Sequence, residues 1–153
     1  MKSVFLRFHG SFLASLIDNS SESIQIKREF PNENHLYLFN EKVGTYVTYN
    51  SKRMGPWTFA FEPKHVKIIF ETFERHEDAF VILVCGFETT AVLHKSEVVL
   101  LLPADGTSNS SITIRTGHDK KLAVSGTLGE LKTKVAKTRT YERLLNSINT
   151  NKA

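Results

Sequence analysis

Positively charged residues concentrate in the C-terminal quarter of this sequence, where nine Lys or Arg residues and three Asp or Glu residues follow Ile114. That quarter carries a formal charge of +6, more than the +4 of the whole chain. A row of cations neutralises phosphates and releases counterions, so it favours nucleic acid or an acidic protein surface as a partner. The alternative is a solvated basic face that keeps the protein soluble. The residues spaced to reach one partner are Lys132, Lys134, Lys137, Arg139 and Arg143.

The residue types that perform catalysis are present, but not in a familiar arrangement. The six histidines are not spaced as metal ligands. Cys85 follows a run of apolar residues, so we expect a buried, inert thiol rather than a nucleophile. The sequence has no Gly-x-Ser-x-Gly elbow, no phosphate-binding Gly-Lys-Ser/Thr loop and no dinucleotide fingerprint. We therefore expect no catalytic residue, no metal ion and no cofactor.

The composition is that of a globular protein. The chain has 153 residues, of which 41% are hydrophobic and 24% charged, which predicts a single domain over 1–153. Within it, 103–111 reads as a polar loop and 115–153 as the basic segment. No apolar run approaches the ~20 residues that cross a bilayer. A single cysteine fits a reducing compartment, so we expect a cytoplasmic protein without a membrane partner.

The first 50 residues predict one helix followed by three strands. Phe5, Phe8, Phe12 and Leu16 recur at spacings of three and four, which is typical of an amphipathic helix. That helix is predicted over 3–18. Alternating apolar residues bounded by turn residues then predict strands over 22–30, 36–40 and 45–50.

The middle of the chain predicts a strand, a helix and a second strand. Three aromatic residues alternate with smaller ones over 57–61, which indicates a strand with one buried face. Pro63 fits the first turn of a helix that runs to Arg75. Residues 79–85 are apolar throughout, as in a central strand covered on both faces. Because such units cross over to a parallel neighbour, we expect 57–61 and 79–85 to lie parallel in one sheet.

The last third predicts smaller elements. A strand over 89–94 precedes the apolar run Val98–Leu102, which fits either a short helix or a buried strand. A hairpin is predicted from 111–115 and 122–125, and a closing amphipathic helix from about Thr138. The fold class expected from all these elements is α+β. It comprises a mixed β-sheet with packed helices in helix-strand-strand-strand-helix-strand order, followed by a C-terminal hairpin and helix.

The element order over residues 3–86 resembles the core of the PD-(D/E)XK, or restriction-endonuclease-like, fold. That resemblance implies metal-dependent phosphodiester hydrolysis by carboxylates on the second and third strands, with a lysine two residues after the last carboxylate. Here Thr48 and Asn50 occupy the positions of that carboxylate and lysine, so the motif is missing. The resemblance therefore carries the fold without the catalytic residues.

Two other groups of residues are candidate substitutes for this motif. Asp18, Gln25 and Lys27 have a spacing that some nucleases of this class tolerate, although a helix-ending Asp and an exposed strand face explain them more simply. Glu62 and Lys64 match the tripeptide but flank a proline at a helix start, where Glu stabilises the helix dipole.

A second resemblance covers 56–61, the following helix and 80–86. This part looks like small uncharacterised bacterial proteins that share a Trp-x-Phe-x-Phe strand, a helix and a Val-Leu-Val-Cys-Gly strand. That likeness implies a fold and no activity.

Three functional hypotheses remain. The first is a small non-catalytic binding module that engages nucleic acid or an acidic partner through the five C-terminal cations. The second is a divalent-metal-dependent nuclease with an atypical active site. The third is a homodimeric interaction protein, paired through a sheet edge or through Val98–Leu102.

Overall fold

A computed structural model describes residues 2–117, 119, 121–136 and 140–149. The predicted α+β class is confirmed. The helices are α1 (Lys2–Asp18), α2 (Pro63–Arg75), α3 (Lys95–Val98) and α4 (Thr140–Asn149). The strands are β1 (Ile26–Arg28), β2 (Leu36–Phe39), β3 (Val43–Asn50), β4 (Trp57–Phe61), β5 (Asp78–Cys85), β6 (Thr89–His94), β7 (Ser110–Thr116), β8 (Lys121–Gly126), β9 (Gly129–Glu130) and β10 (Val135–Ala136).

The first sheet has the strand order β1-β2-β3-β5-β6. Strands β3 and β5 are parallel, and the other neighbours are antiparallel. The register pairs Asn50 with Cys85, so both parallel strands end together at one edge of the molecule.

The second sheet is antiparallel, with the order β10-β8-β7-β4 and β9 beside β8. The expectation that β4 and β5 are parallel neighbours is wrong, because β4 pairs with β7 and β5 pairs with β3. The physical reason lies in the alternation of β4. Its Thr58 and Ala60 face solvent, whereas β5 is buried on both faces, so the two strands suit different sheets.

The strand β5 divides the apolar interior into two cores. Val81, Leu83 and Cys85 face a core between the two sheets, which also contains α2. Phe80 and Ile82 face a core under α1 and α4. Alternate side chains of a strand point to opposite faces, so an entirely apolar strand stabilises both layers at once.

Several predicted boundaries shift. The strand expected over 22–30 is limited to Ile26–Arg28, and β9 and β10 were not predicted. The short helix predicted through Leu102 ends at Val98, and Val98–Leu102 forms no strand. Thr138, the predicted start of the last helix, lies outside the described residues. None of the described helices is long and apolar enough to cross a membrane.

Candidate functional site

The five cations predicted to bind a partner are not seen as one group. Lys132 and Lys134 are exposed, and Lys134 Nζ lies 3.1 Å from a carboxylate oxygen of Asp119. That pairing holds the pKa of Asp119 below its usual range. Lys137 and Arg139 lie outside the described residues.

Arg143, the fifth predicted cation, anchors α4. Its Nη1 lies 2.9 Å from Glu97 Oε1 and donates a hydrogen bond of 3.1 Å to the carbonyl of Val92. The guanidinium therefore already has a carboxylate and a backbone partner inside the protein. This arrangement ties α4 to β6 and α3.

The residues considered for a nuclease site have structural partners as well. Lys27 pairs with Glu41 at 2.8 Å on an exposed surface, and Asp18 is the last residue of α1. The side-chain NH₂ of Asn50 donates a hydrogen bond to the carbonyl of Thr58. Its side-chain oxygen accepts one from the backbone N–H of Lys52, in the loop that follows β3. Across the described part of the chain, no three His, Cys, Asp or Glu side chains are grouped so that they could hold a metal ion.

Two further interpretations are settled by burial and helix geometry. Cys85 is fully buried, so the predicted burial is confirmed, and burial raises the pKa of its thiol to about 12. Glu62 immediately precedes α2, and its backbone N–H donates to His65 Nδ1, as expected for a residue that starts a helix.

A charged cleft of about 570 Å³ lies where α4 packs on the first sheet. Asp78 accepts a hydrogen bond from Ser147 and lies 2.5 Å from His94 Nε2. Burial opposes ionisation, but these two partners hold the pKa of Asp78 below its usual range. His94 Nδ1 accepts from the backbone of Ser96, as an N-cap of α3. These polar groups form hydrogen bonds with one another. We therefore interpret the cleft as a structural contact between α4 and the first sheet, not as a ligand site.

At a different edge of the molecule three aromatic rings stack, and one of the outer rings is exposed to solvent. Phe8 of α1 lies between two rings, with its centroid 4.9 Å from that of Tyr49 and 4.8 Å from that of Phe87. Phe8 is 2% exposed, whereas Phe87 is 69% exposed. Phe87 thus covers Phe8 with one face while most of its surface remains open to water.

A short basic loop, 51–56, packs against Gly86, the residue before Phe87. The backbone N–H of Gly86 donates to the Asn50 carbonyl at 2.8 Å, and the indole of Trp57 donates to the Lys52 carbonyl at 2.9 Å. The Lys52 carbonyl also lies close to Gly86, since a Cβ at Gly86 would be 2.5 Å from it. Lys52 and Arg53 are exposed on this loop, next to an exposed Met54.

A polar groove of about 250 Å³ begins at Phe87 and runs between α1 and β6. Three of its residues, Ser11, Ser15 and Asn19, follow α1 at intervals of four, so they lie in one row. The facing wall contributes hydroxyl groups. Its members are Thr89, Thr90 and Tyr141, and Glu88 also lines the groove.

We call Phe87, loop 51–56 and the groove together the Phe87 edge. The sequence analysis did not predict it. One local signal was available. Phe87 directly follows Gly86, which ends a strand, so the ring falls in a turn that the sheet does not bury. The partners of the ring come from α1 and β3, which are distant in sequence, and no spacing rule brings them together.

Comparison with models of protein families, with curated proteins and with solved structures found no match to this chain. Function must therefore be argued from the geometry of the chain itself.

Proposed function

We propose that this protein is a non-catalytic module that binds nucleic acid at the Phe87 edge. The observation that carries the proposal is the ring of Phe87, which stacks on Phe8, is 69% exposed and directly follows Gly86, against which the basic loop 51–56 packs. Proteins that bind single strands without sequence preference combine such aromatic surfaces with positive charge along the backbone path.

The cations at this edge are available to phosphates. Arg53 of the loop is exposed, as is Arg7, which lies one turn before the groove residue Ser11 on α1, and within the described residues neither has an ion-pair partner. The Lys52 ammonium donates to the Pro56 carbonyl, which is an uncharged partner. Glu88, next to Phe87, brings one negative charge. We therefore expect weak binding that depends on salt.

The C-terminal cations offer a second contact in this proposal. The register pairs Trp57 with Ile114, which sets the end of β7 beside the loop before β4. The hairpin of β7 and β8 therefore extends along the same end of the molecule as loop 51–56. Lys132 and Lys134 belong to the segment that follows this hairpin, and Lys137 and Arg139 complete the predicted set.

Binding of labelled oligonucleotides tests the proposal directly. Fluorescence anisotropy at ~50 mM salt should show saturable binding of single-stranded DNA or RNA, and the affinity should fall as salt rises. Absence of binding under these conditions would contradict the proposal. Incubation of the same oligonucleotides with Mg²⁺ should leave them intact; cleavage by pure protein would favour the nuclease hypothesis instead.

A cytoplasmic location suits this function, since the buried Cys85 needs no oxidising compartment. The homodimer hypothesis has less support. Within Val98–Leu102 the side chains of Val98, Leu101 and Leu102 are buried in the core between the sheets, which leaves only Val99 and Leu100 exposed. Light scattering on pure protein measures the oligomeric state.

A further inference from the structure

The geometry points to a more specific ligand: the groove beside Phe87 takes one unpaired nucleobase, so the protein selects single strands over duplexes. This inference rests on the proposed function, because it names which part of a nucleic acid the Phe87 edge recognises.

The groove combines the ring of Phe87 with side chains that can form hydrogen bonds. Phe87 and the hydroxyl-lined walls belong to the same groove. A base that stacks on Phe87 from the groove would meet hydroxyl groups of the same lining, which include those of Ser11, Ser15 and Thr89. Hydroxyl groups both donate and accept, so they can bond the edges of several bases. A base can present its edge in this way only when it is unpaired and splayed out of the strand.

The volume of the groove also suits a single base. At about 250 Å³, the groove is smaller than the ~300–1,000 Å³ sites that hold drug-sized ligands and cofactors. It suits a flat fragment about as large as one base. The rest of the strand would remain outside, where Arg7, Lys52 and Arg53 are exposed.

Exposed Met54 and Phe87 near cations would also suit a lipid surface. The position of Phe87 and the lining of the groove favour a nucleobase instead. A side chain that inserts into lipid projects away from the protein. Phe87 instead lies against Phe8 with ring planes 27° apart, and the groove that continues from it is lined mainly by hydroxyl and amide groups.

The test compares four probes by fluorescence anisotropy or sedimentation with the intact protein. These are a labelled single strand of about 12 nucleotides, an abasic strand of equal length and charge, a blunt duplex of equal length, and vesicles containing phosphatidylserine. We expect the normal strand to bind about 10-fold more tightly than the abasic strand and the duplex.

Two variants assign this preference to the groove. Phe87→Leu keeps an apolar cover on Phe8 and should bring the normal strand down to the abasic affinity, without changing the abasic affinity. The matched control is Phe30→Leu, since Phe30 is another exposed ring, 44% accessible, and is not among the residues that line the groove. This control should behave as wild type. The double variant Ser11→Ala and Thr89→Val should alter the ranking of homopolymeric strands while leaving the abasic affinity unchanged.

The outcomes separate the inference from the function on which it rests. Equal binding of normal and abasic strands, or equal loss of both in Phe87→Leu, would overturn the nucleobase site and leave nucleic-acid binding intact. Failure of every nucleic acid to bind, with or without retention by vesicles, would overturn both proposals.

Discussion

Phe87 lies against Phe8 with their ring centroids 4.8 Å apart, although Phe8 belongs to α1 and Phe87 to the turn between β5 and β6. This contact positions an exposed ring on a rigid base, since Phe8 is itself held by Tyr49 and buried in the core under α1 and α4. An aromatic surface fixed in this way loses little conformational freedom when a ligand stacks on it.

Removing the two cations of loop 51–56 should weaken the salt dependence of nucleic-acid binding. Each phosphate contact on a single strand contributes about 0.7 to the slope of log K against log salt. The double variant Lys52→Gln and Arg53→Gln should therefore reduce the magnitude of the slope by about 1.4. The anchoring of the loop to Trp57 uses the Lys52 carbonyl, which the change keeps. Anisotropy titrations across salt concentrations measure the slope.

The matched control replaces two C-terminal cations, Lys132→Gln and Lys134→Gln. Because Lys134 is already paired with Asp119, we expect this control to change the slope less than the loop variant does. The opposite order would make the basic C-terminal segment the main binding surface.

The secondary structure was largely predictable where local pattern and packing agree. The uniformly apolar run 79–85 indicated a strand buried on both faces, and Pro63 marked the start of a helix; both are confirmed. The sheet to which β4 belongs could not be predicted. Its alternation distinguishes it from the doubly buried β5, but a two-residue period does not identify β7 as its neighbour.

The candidate site was less predictable than the fold. The spacing of Arg139 and Arg143 indicated a shared polar helix face, yet Arg143 bonds Glu97 from another part of the chain. The ring stack on Phe8 likewise joins residues 79 positions apart. Tertiary contacts of this kind decide which polar or aromatic groups remain available to a ligand, and local sequence patterns do not encode them.

Breaking the Arg143–Glu97 pair should lower stability without affecting nucleic-acid binding. The side chains are 37% and 23% exposed, so water screens the attraction and the pair should contribute about 1 kcal/mol or less. A double-mutant cycle of Arg143→Gln and Glu97→Gln, followed by urea unfolding, measures this coupling. Affinity for single strands should stay within about 2-fold of wild type. A large loss of affinity in Arg143→Gln alone would restore Arg143 as a binding residue.

Gly44 should tolerate no side chain. A Cβ at this position would lie 2.5 Å from the ring of His76 and 3.0 Å from Thr72. The ring cannot easily move away, because His76 Nε2 lies 2.6 Å from Glu29 Oε2. Gly44→Ala should therefore lower the free energy of unfolding by about 1–3 kcal/mol, as overpacking does.

The matched control for this substitution is Gly10→Ala in α1. No atom lies within 4 Å of a Cβ at Gly10. Because Ala is the better helix former, this variant should gain about 0.5–1 kcal/mol of stability. Urea unfolding of both variants gives the comparison, and equal effects would contradict the predicted clash.

Protonation of His9 should make the fold less stable as pH falls below neutral. Burial, reinforced by His35 and Arg28, lowers the pKa of His9 to about 4, against 6.5 for an unperturbed histidine. Between these two values the unfolded chain binds a proton that the folded chain does not. Stability is therefore constant above pH ~6.5, decreases as pH falls towards 4, and should drop by about 2 kcal/mol between pH 7.5 and 5.

The variant His9→Phe assigns this dependence. A phenyl ring keeps the stacking that His9 makes on Phe5, but it cannot take up a proton and it leaves the Tyr37 hydroxyl without its present partner. The variant should be about 1 kcal/mol less stable at pH 7.5 and nearly independent of pH down to 5. A small residual slope is expected from His65, whose pKa is also lowered by burial. A slope as steep as that of wild type would show that His9 accepts a proton in the folded state without cost.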